Sequence, residues 1–113
     1  MQKFGMKCLF EFLLKEISMA ICVDFLQTIP PQKASVARYG DKWCHLFTDE
    51  NSQEEDLHLF AEKLGLKRAY FQDHRLLAHY DLTPTKRALA LKYGAVERQS
   101  ADIVKQRLKE KKL

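Results

Sequence analysis

Each of the four histidines in this chain has a carboxylate close by in sequence: His45 with Asp49, His58 with Asp56, His74 with Asp73, and His79 with Asp81. Imidazole and carboxylate together serve two chemistries, a divalent-metal site or a general base with its orienting acid. In an extended segment His79 and Asp81 project from one face, as do Trp43, His45 and Phe47 of the run "KWCHLFT". His45, His79 and Asp81 are therefore the candidate catalytic residues, joined by Asp24 at the end of another strand-like run. Their side-chain ends are expected within roughly 8 Å of one another, a loose reading of hydrogen-bond and metal reach. Their spacing matches no metalloprotease helix, calcium loop, glycine-rich phosphate loop or nucleophile elbow. His58 flanks Glu54 and Glu62 at i±4 beside an apolar stripe and reads as a surface residue. His45, between Trp43 and Phe47, also fits a half-buried strand histidine.

The stretch "HYDLTPTKR" (79–87) carries a second kind of chemistry. Thr83 is placed to cap a helix whose first residue is Pro84 and whose end is marked by Gly94. Helix N-termini offer unpaired N–H groups and a partial positive charge, which attract phosphate or carboxylate. Lys86 and Arg87 stand in the first turn and a half, where the helix dipole disfavours cations. An anionic ligand would resolve that conflict, with Tyr80, Trp43 or Phe71 stacking on a ring. The bland reading has both cations in solvent or paired with Asp81 or Asp73.

The elements that must position these residues follow from pattern. A chain of 113 residues holds one core, and 46% hydrophobic with 30% charged residues is ordinary for a globular protein. "AICVDFL" (20–26) and "KWCHLFT" (42–48) read as strands, separated by a loop over 27–41 with Pro30-Pro31 and no periodicity. Ser52 and Glu55 form a capping box for a helix with Leu57, Phe60, Ala61 and Leu64 inward, ended by Gly65, with Leu66 folding back on its last turn. "KRAYFQ" (67–72) is a third possible strand, and Ser100 caps a last helix with Ile103, Val104 and Leu108 inward. The expected fold is a small single α+β domain over 19–113, with a short sheet of two to three strands covered by three helices.

Residues 1–18 read as an N-terminal extension, because Met19 opens a self-sufficient pattern and Lys15-Glu16 can be encoded by AAG-GAG, a ribosome-binding sequence. That segment is too charged for a signal peptide and too short to span a bilayer. Cys8, Cys22 and Cys44 form no C-x-x-C pair, and Cys22 and Cys44, in apolar runs, fit buried thiols in a reducing cytosol. Charge is uneven: residues 1–65 carry 7 Lys and Arg against 10 Asp and Glu, and residues 66–113 carry 12 against 5. A basic second half favours anionic partners, although part of it is a solvated lysine-rich tail.

"MAICVDFL", "WCHLFTD", "LHLFAEKLGLKRAYFQ" and "HYDLTPTKRALALKYGA", in that order, resemble a small bacterial and phage family catalogued as domain of unknown function 4031. The resemblance spans about residues 19–96. It implies importance for the matching polar positions Asp24, His45, Asp49, His58, Gln72, His79, Tyr80, Asp81, Thr83, Lys86 and Arg87, and implies no activity. The family usually has Trp where this chain has Tyr70.

Three functions fit these readings. The leading one is a cytoplasmic domain binding a small anionic, nucleotide-like or phosphorylated ligand through Thr83, Lys86, Arg87, Tyr80, Asp24, Trp43 and Gln72. The second is a metal- or His/Asp-assisted phosphoester hydrolase using His45, His79 and Asp81. The third is a phage-type protein-interaction or inhibitor module. Nucleic acid is a weakly supported partner, no membrane is expected, and the residues name no cofactor or oligomeric state.

Overall fold

The computed structural model describes residues 20–30, 34–49 and 52–112. Residues 1–18, read as an N-terminal extension that includes Cys8, and Met19 lie outside the described residues. In chain order the elements are β1 (Ile21–Val23), β2 (Gln27–Thr28), α1 (Ala34–Tyr39), β3 (Lys42–Thr48), α2 (Glu54–Lys63), a 3-10 turn (Arg68–Tyr70), β4 (Tyr80–Leu82), α3 (Pro84–Lys92), β5 (Val96–Glu97) and α4 (Ser100–Lys112). The α+β class holds, but the described residues form five strands and four helices rather than two to three strands and three helices. The extra pieces arise where sequence pattern is silent. β2 and α1 lie inside the stretch that reads as loop, and β5 is two residues long.

β3 is the centre of the sheet. It pairs antiparallel with β1 and β2 along one edge and with β4 along the other, while β1 also takes β5 in parallel. The alternation expected for "KWCHLFT" sorts the core. Cys44 and Leu46 face a cluster with Leu57, Ala61 and Leu64 of the α2 segment and with Ala90 of α3. Phe47, on the other face, packs with Cys22, Leu77 and Ile103 of α4. Helices therefore cover one face fully and only the Phe47 end of the other, which leaves the His45 end open to a cavity. Tyr80 and Leu82 are buried toward the α2 side, so Asp81 between them must point to the open face.

Three of the helices end on a positive-φ glycine, Gly40, Gly65 and Gly94, and two of these shape the site. Gly65 (φ 82°) closes α2 with Leu66 N–H donating to Ala61 O and Gly65 N–H to Glu62 O, a Schellman turn that needs the left-handed conformation. Gly40 (φ 92°) turns the chain from α1 into β3, and its carbonyl accepts the Trp43 indole N–H at 2.9 Å.

The N-terminus of α2 differs from expectation. Gln53 is the cap, and Asp56 accepts from its N–H at 3.1 Å. Ser52 instead donates its hydroxyl to Asp49 and sits in a clip that ties Asp49 to Ala20. Leu108 is 41% exposed rather than inward, and Ser100 gives its hydroxyl to Asp24. Among the described residues, no helix is long and apolar enough to cross a membrane.

Candidate functional site

Register brings the site together. In the β3–β4 ladder His45 lies opposite Asp81, and an isolated bridge sets Gln72 opposite His79. With a side-chain period of two, His79 and Asp81 share a face, and the ladder makes it the face of His45. One ligand atom from each of His45, His79 and Asp81 lies within 4.8 Å of the others. This is well inside the expected reach. The two imidazoles meet edge to face, with ring centroids 4.6 Å apart.

Each ring is held through its Nδ1. His79 Nδ1 lies 2.7 Å from the Leu77 carbonyl, an acceptor only, so Nδ1 carries the proton and Nε2 turns toward Asp81 at 3.5 Å. His45 Nδ1 lies 2.6 Å from Asp24 Oδ2, which likewise directs its Nε2 outward. Asp81 is oriented in turn, since Gln72 donates to its Oδ2 at 2.6 Å and leaves Oδ1 for the site. Carboxylate or carbonyl behind each imidazole is the arrangement that fixes ring tautomer and raises ligand basicity at metal sites.

Asp24 is fully buried and fits where the sheet is irregular. Val23 pairs with Leu46 and Gln27 with Trp43, so Asp24, Phe25 and Leu26 oppose only Cys44 and His45. That one-residue bulge leaves Asp24 half paired: its N–H still donates to the His45 carbonyl at 3.3 Å, while its own carbonyl is released. Its Oδ1 accepts the His45 N–H at 2.6 Å, and its own carbonyl accepts from Arg87 Nε at 2.8 Å. Ser100 Oγ and Gln27 Nε2 complete the carboxylate's partners.

The charges follow from these contacts. Burial pushes the Asp24 carboxyl up, but the bonds from His45 and Ser100 outweigh it and hold it below the ordinary value. Asp81 is also lowered: burial opposes, and His79 and Gln72 prevail. His79 is raised, because the Asp81 and Leu77 bonds outweigh burial. Cys44 faces the core, where burial pushes its thiol up to about 12. Its sulfur is not among the converging ligand atoms.

The triad opens on a cavity of about 270 Å³ lined also by Gln27, Ile29, Trp43, Cys44 and Gln72. A second cavity of about 590 Å³ shares Trp43, Gln72 and Asp81 with it.

The other expected site residues separate. Thr83 caps α3, its Oγ1 accepting the Lys86 N–H. Since Pro84 has no N–H, that helix end keeps few donors for an anion. Lys86 lines the second cavity, yet its ammonium binds the Leu64 carbonyl at the end of α2. Arg87 is turned to the Asp24 carbonyl and Glu97 and lines neither cavity. Both cations thus close the fold, which accounts for their place against the dipole without a ligand.

Tyr80 is 1% exposed and hydrogen-bonds His58, so it is no stacking surface, and Phe71 packs against both. His58, read as a surface residue, is buried because the α2 stripe is wide enough to take it under Phe71 and Tyr80. Asp49 serves Ala20 and Ser52 rather than His45, and Asp73 with His74 lines a separate cavity beside Arg75 and Arg107. Sequence reasoning missed Tyr39 and Tyr70 in the second cavity. Their only signal was an aromatic in a polar segment.

A family model described as protein of unknown function (DUF4031) matches residues 31–111, which include the triad and begin after Asp24. No curated protein and no solved structure matches the chain.

Proposed function

The chain belongs to the DUF4031 family, whose description carries no activity, and we propose from the site itself that it is a metal-dependent hydrolase of a small phosphorylated ligand. His45 Nε2, His79 Nε2 and an Asp81 oxygen would hold one first-row divalent cation such as Zn²⁺ or Mn²⁺, leaving its remaining positions to the cavity. The observation that carries this is the convergence of two imidazoles and a carboxylate within 4.8 Å at a cavity wall. That each is oriented from behind, by Asp24, Leu77 and Gln72, adds to it.

Electrostatics support the metal and the anionic ligand together. Asp81 stands in the wall of the triad cavity, with Asp24 buried behind His45, and their charge repels a phosphate. A divalent cation held beside Asp81 would offset that charge, and its chemistry is to lower the pKa of bound water and neutralise developing charge on a phosphoryl oxygen. A pocket that binds a nucleotide through the α3 end alone has less support, since Arg87 and Lys86 have protein partners.

Calorimetric titration with Zn²⁺ and Mn²⁺, followed by assay of the loaded protein on bis-p-nitrophenyl phosphate, tests the proposal. One ion per chain is expected, with binding and turnover lost in His45→Ala and His79→Ala. Metal binding that survives both substitutions would sink it.

A further inference from the structure

We propose that the second cavity is a base subsite, making the substrate a nucleotide whose phosphate reaches the triad. This deepens the reading above and rests on it. The two cavities are not independent: Trp43, Gln72 and Asp81 line both, so a ligand spanning them passes the metal ligand Asp81. The larger, about 590 Å³, falls within the range of small-molecule sites, and the triad cavity, about 270 Å³, extends it. The walls differ in kind. The triad cavity is walled mostly by imidazole, amide and carboxylate, with Ile29, Cys44 and Trp43 beside them, whereas Tyr39, Leu66 and Tyr70 join Trp43 to give the other more rings and an apolar side chain.

The rings are set for stacking. Trp43 is locked by its indole N–H on the Gly40 carbonyl, and Tyr39 stands edge-on to it at 6.0 Å. Tyr39 and Tyr70 are each about half exposed, at 51% and 54%. Aromatic surface left in water beside a cavity is what a planar heterocycle would cover. Thr83 and Gln72 bring polar groups to the same walls, where they can contact a base edge or a ribose. A phosphate alone has no use for these rings, and a bare base has none for the triad. A nucleotide matches both chemistries.

Trp43 is the chain's single tryptophan, so its fluorescence reports the subsite directly. The Mn²⁺-loaded full chain is titrated with AMP, adenosine, ribose 5-phosphate and inorganic phosphate, with calorimetry in parallel. AMP is expected to quench Trp43 saturably and to bind at least about tenfold more tightly than ribose 5-phosphate, the scale of one base–aromatic stack. Tyr70→Ala should remove that advantage and leave Mn²⁺ and ribose 5-phosphate affinities unchanged. Equal affinities for AMP and ribose 5-phosphate would overturn the base subsite. AMP binding no tighter than adenosine, with or without Mn²⁺, would overturn the span between the cavities. Should Mn²⁺ itself fail to bind, the hydrolase reading falls separately. Adenosine quenching that Tyr70→Ala abolishes would then still uphold the base subsite, and its absence would overturn that too.

Discussion

The Asp24 carboxylate grips His45 at two points, accepting its backbone N–H and its ring Nδ1 at 2.6 Å each. In a regular ladder a main-chain carbonyl would take that N–H. Here the bulge turns the Asp24 carbonyl to Arg87, and the side chain takes its place. One buried residue thereby joins sheet geometry to ring orientation.

Asp24→Asn keeps the shape and removes the charge. Loss of such a partner behind a ligating histidine is expected to weaken Zn²⁺ affinity roughly 10–100-fold, as judged by titration calorimetry. Asp24→Ala leaves the His45 N–H and Ser100 without their acceptor and should lower stability by about 2–4 kcal/mol in urea unfolding. An Asn variant with parental affinity would mean that His45 is no ligand.

Metal addition should stabilise the fold. A ligand at one hundred times its Kd contributes about 2.7 kcal/mol, which raises the Tm of a domain this size by on the order of 10 °C. The shift should vanish with EDTA and in His79→Ala, while circular dichroism of the metal-free protein stays native, since the core clusters do not include the triad.

Metal affinity should rise with pH. The His79 pKa is raised above its ordinary 6.5, so as pH falls the metal-free site takes up a proton that a cation must displace. Affinity should increase from pH 6 to pH 8, with proton release visible as a buffer-dependent heat. The His79–Asp81 pair stabilises the metal-free protein in the opposite sense. The histidine's contribution is full below 6.5 and is lost as pH rises through its raised folded value. Asp81's contribution is present above 3.8 and is lost as pH falls through its lowered folded value. A pH-independent metal affinity would remove His79 from the ligand set.

Arg87→Glu should destabilise the protein. Its guanidinium satisfies the Asp24 carbonyl and pairs with the half-exposed Glu97, and reversal loses the first and repels the second. About 1–3 kcal/mol is expected, most of it from the carbonyl, because exposed pairs contribute little. Chemical denaturation settles the point. An unchanged midpoint would return Arg87 to the surface role that sequence pattern also allowed.

Much of this was legible in the chain. Thr83, Pro84 and Gly94 mark both ends of α3, and Gly65 with Leu66 closes α2, because capping is chemistry among residues within a turn of one another. Alternation in "KWCHLFT" sorted Cys44 and Leu46 from His45 and Phe47, since a strand's period is two whatever it pairs with. That is also why His79 and Asp81 could be assigned to one face.

Partner choice was not legible. The nearest acids in sequence suggested Asp49 for His45, but the partner is Asp24, 21 residues away, selected by the β1–β3 register and a bulge that no local pattern announces. Lys86 and Arg87 looked like an anion site because their acceptors, Leu64 and Asp24, lie 22 and 63 residues distant. Residue type and spacing determined which groups could do chemistry and which face each occupies. The tertiary structure decided which groups meet, because a one-residue change of register carries a side chain to the opposite face of the sheet.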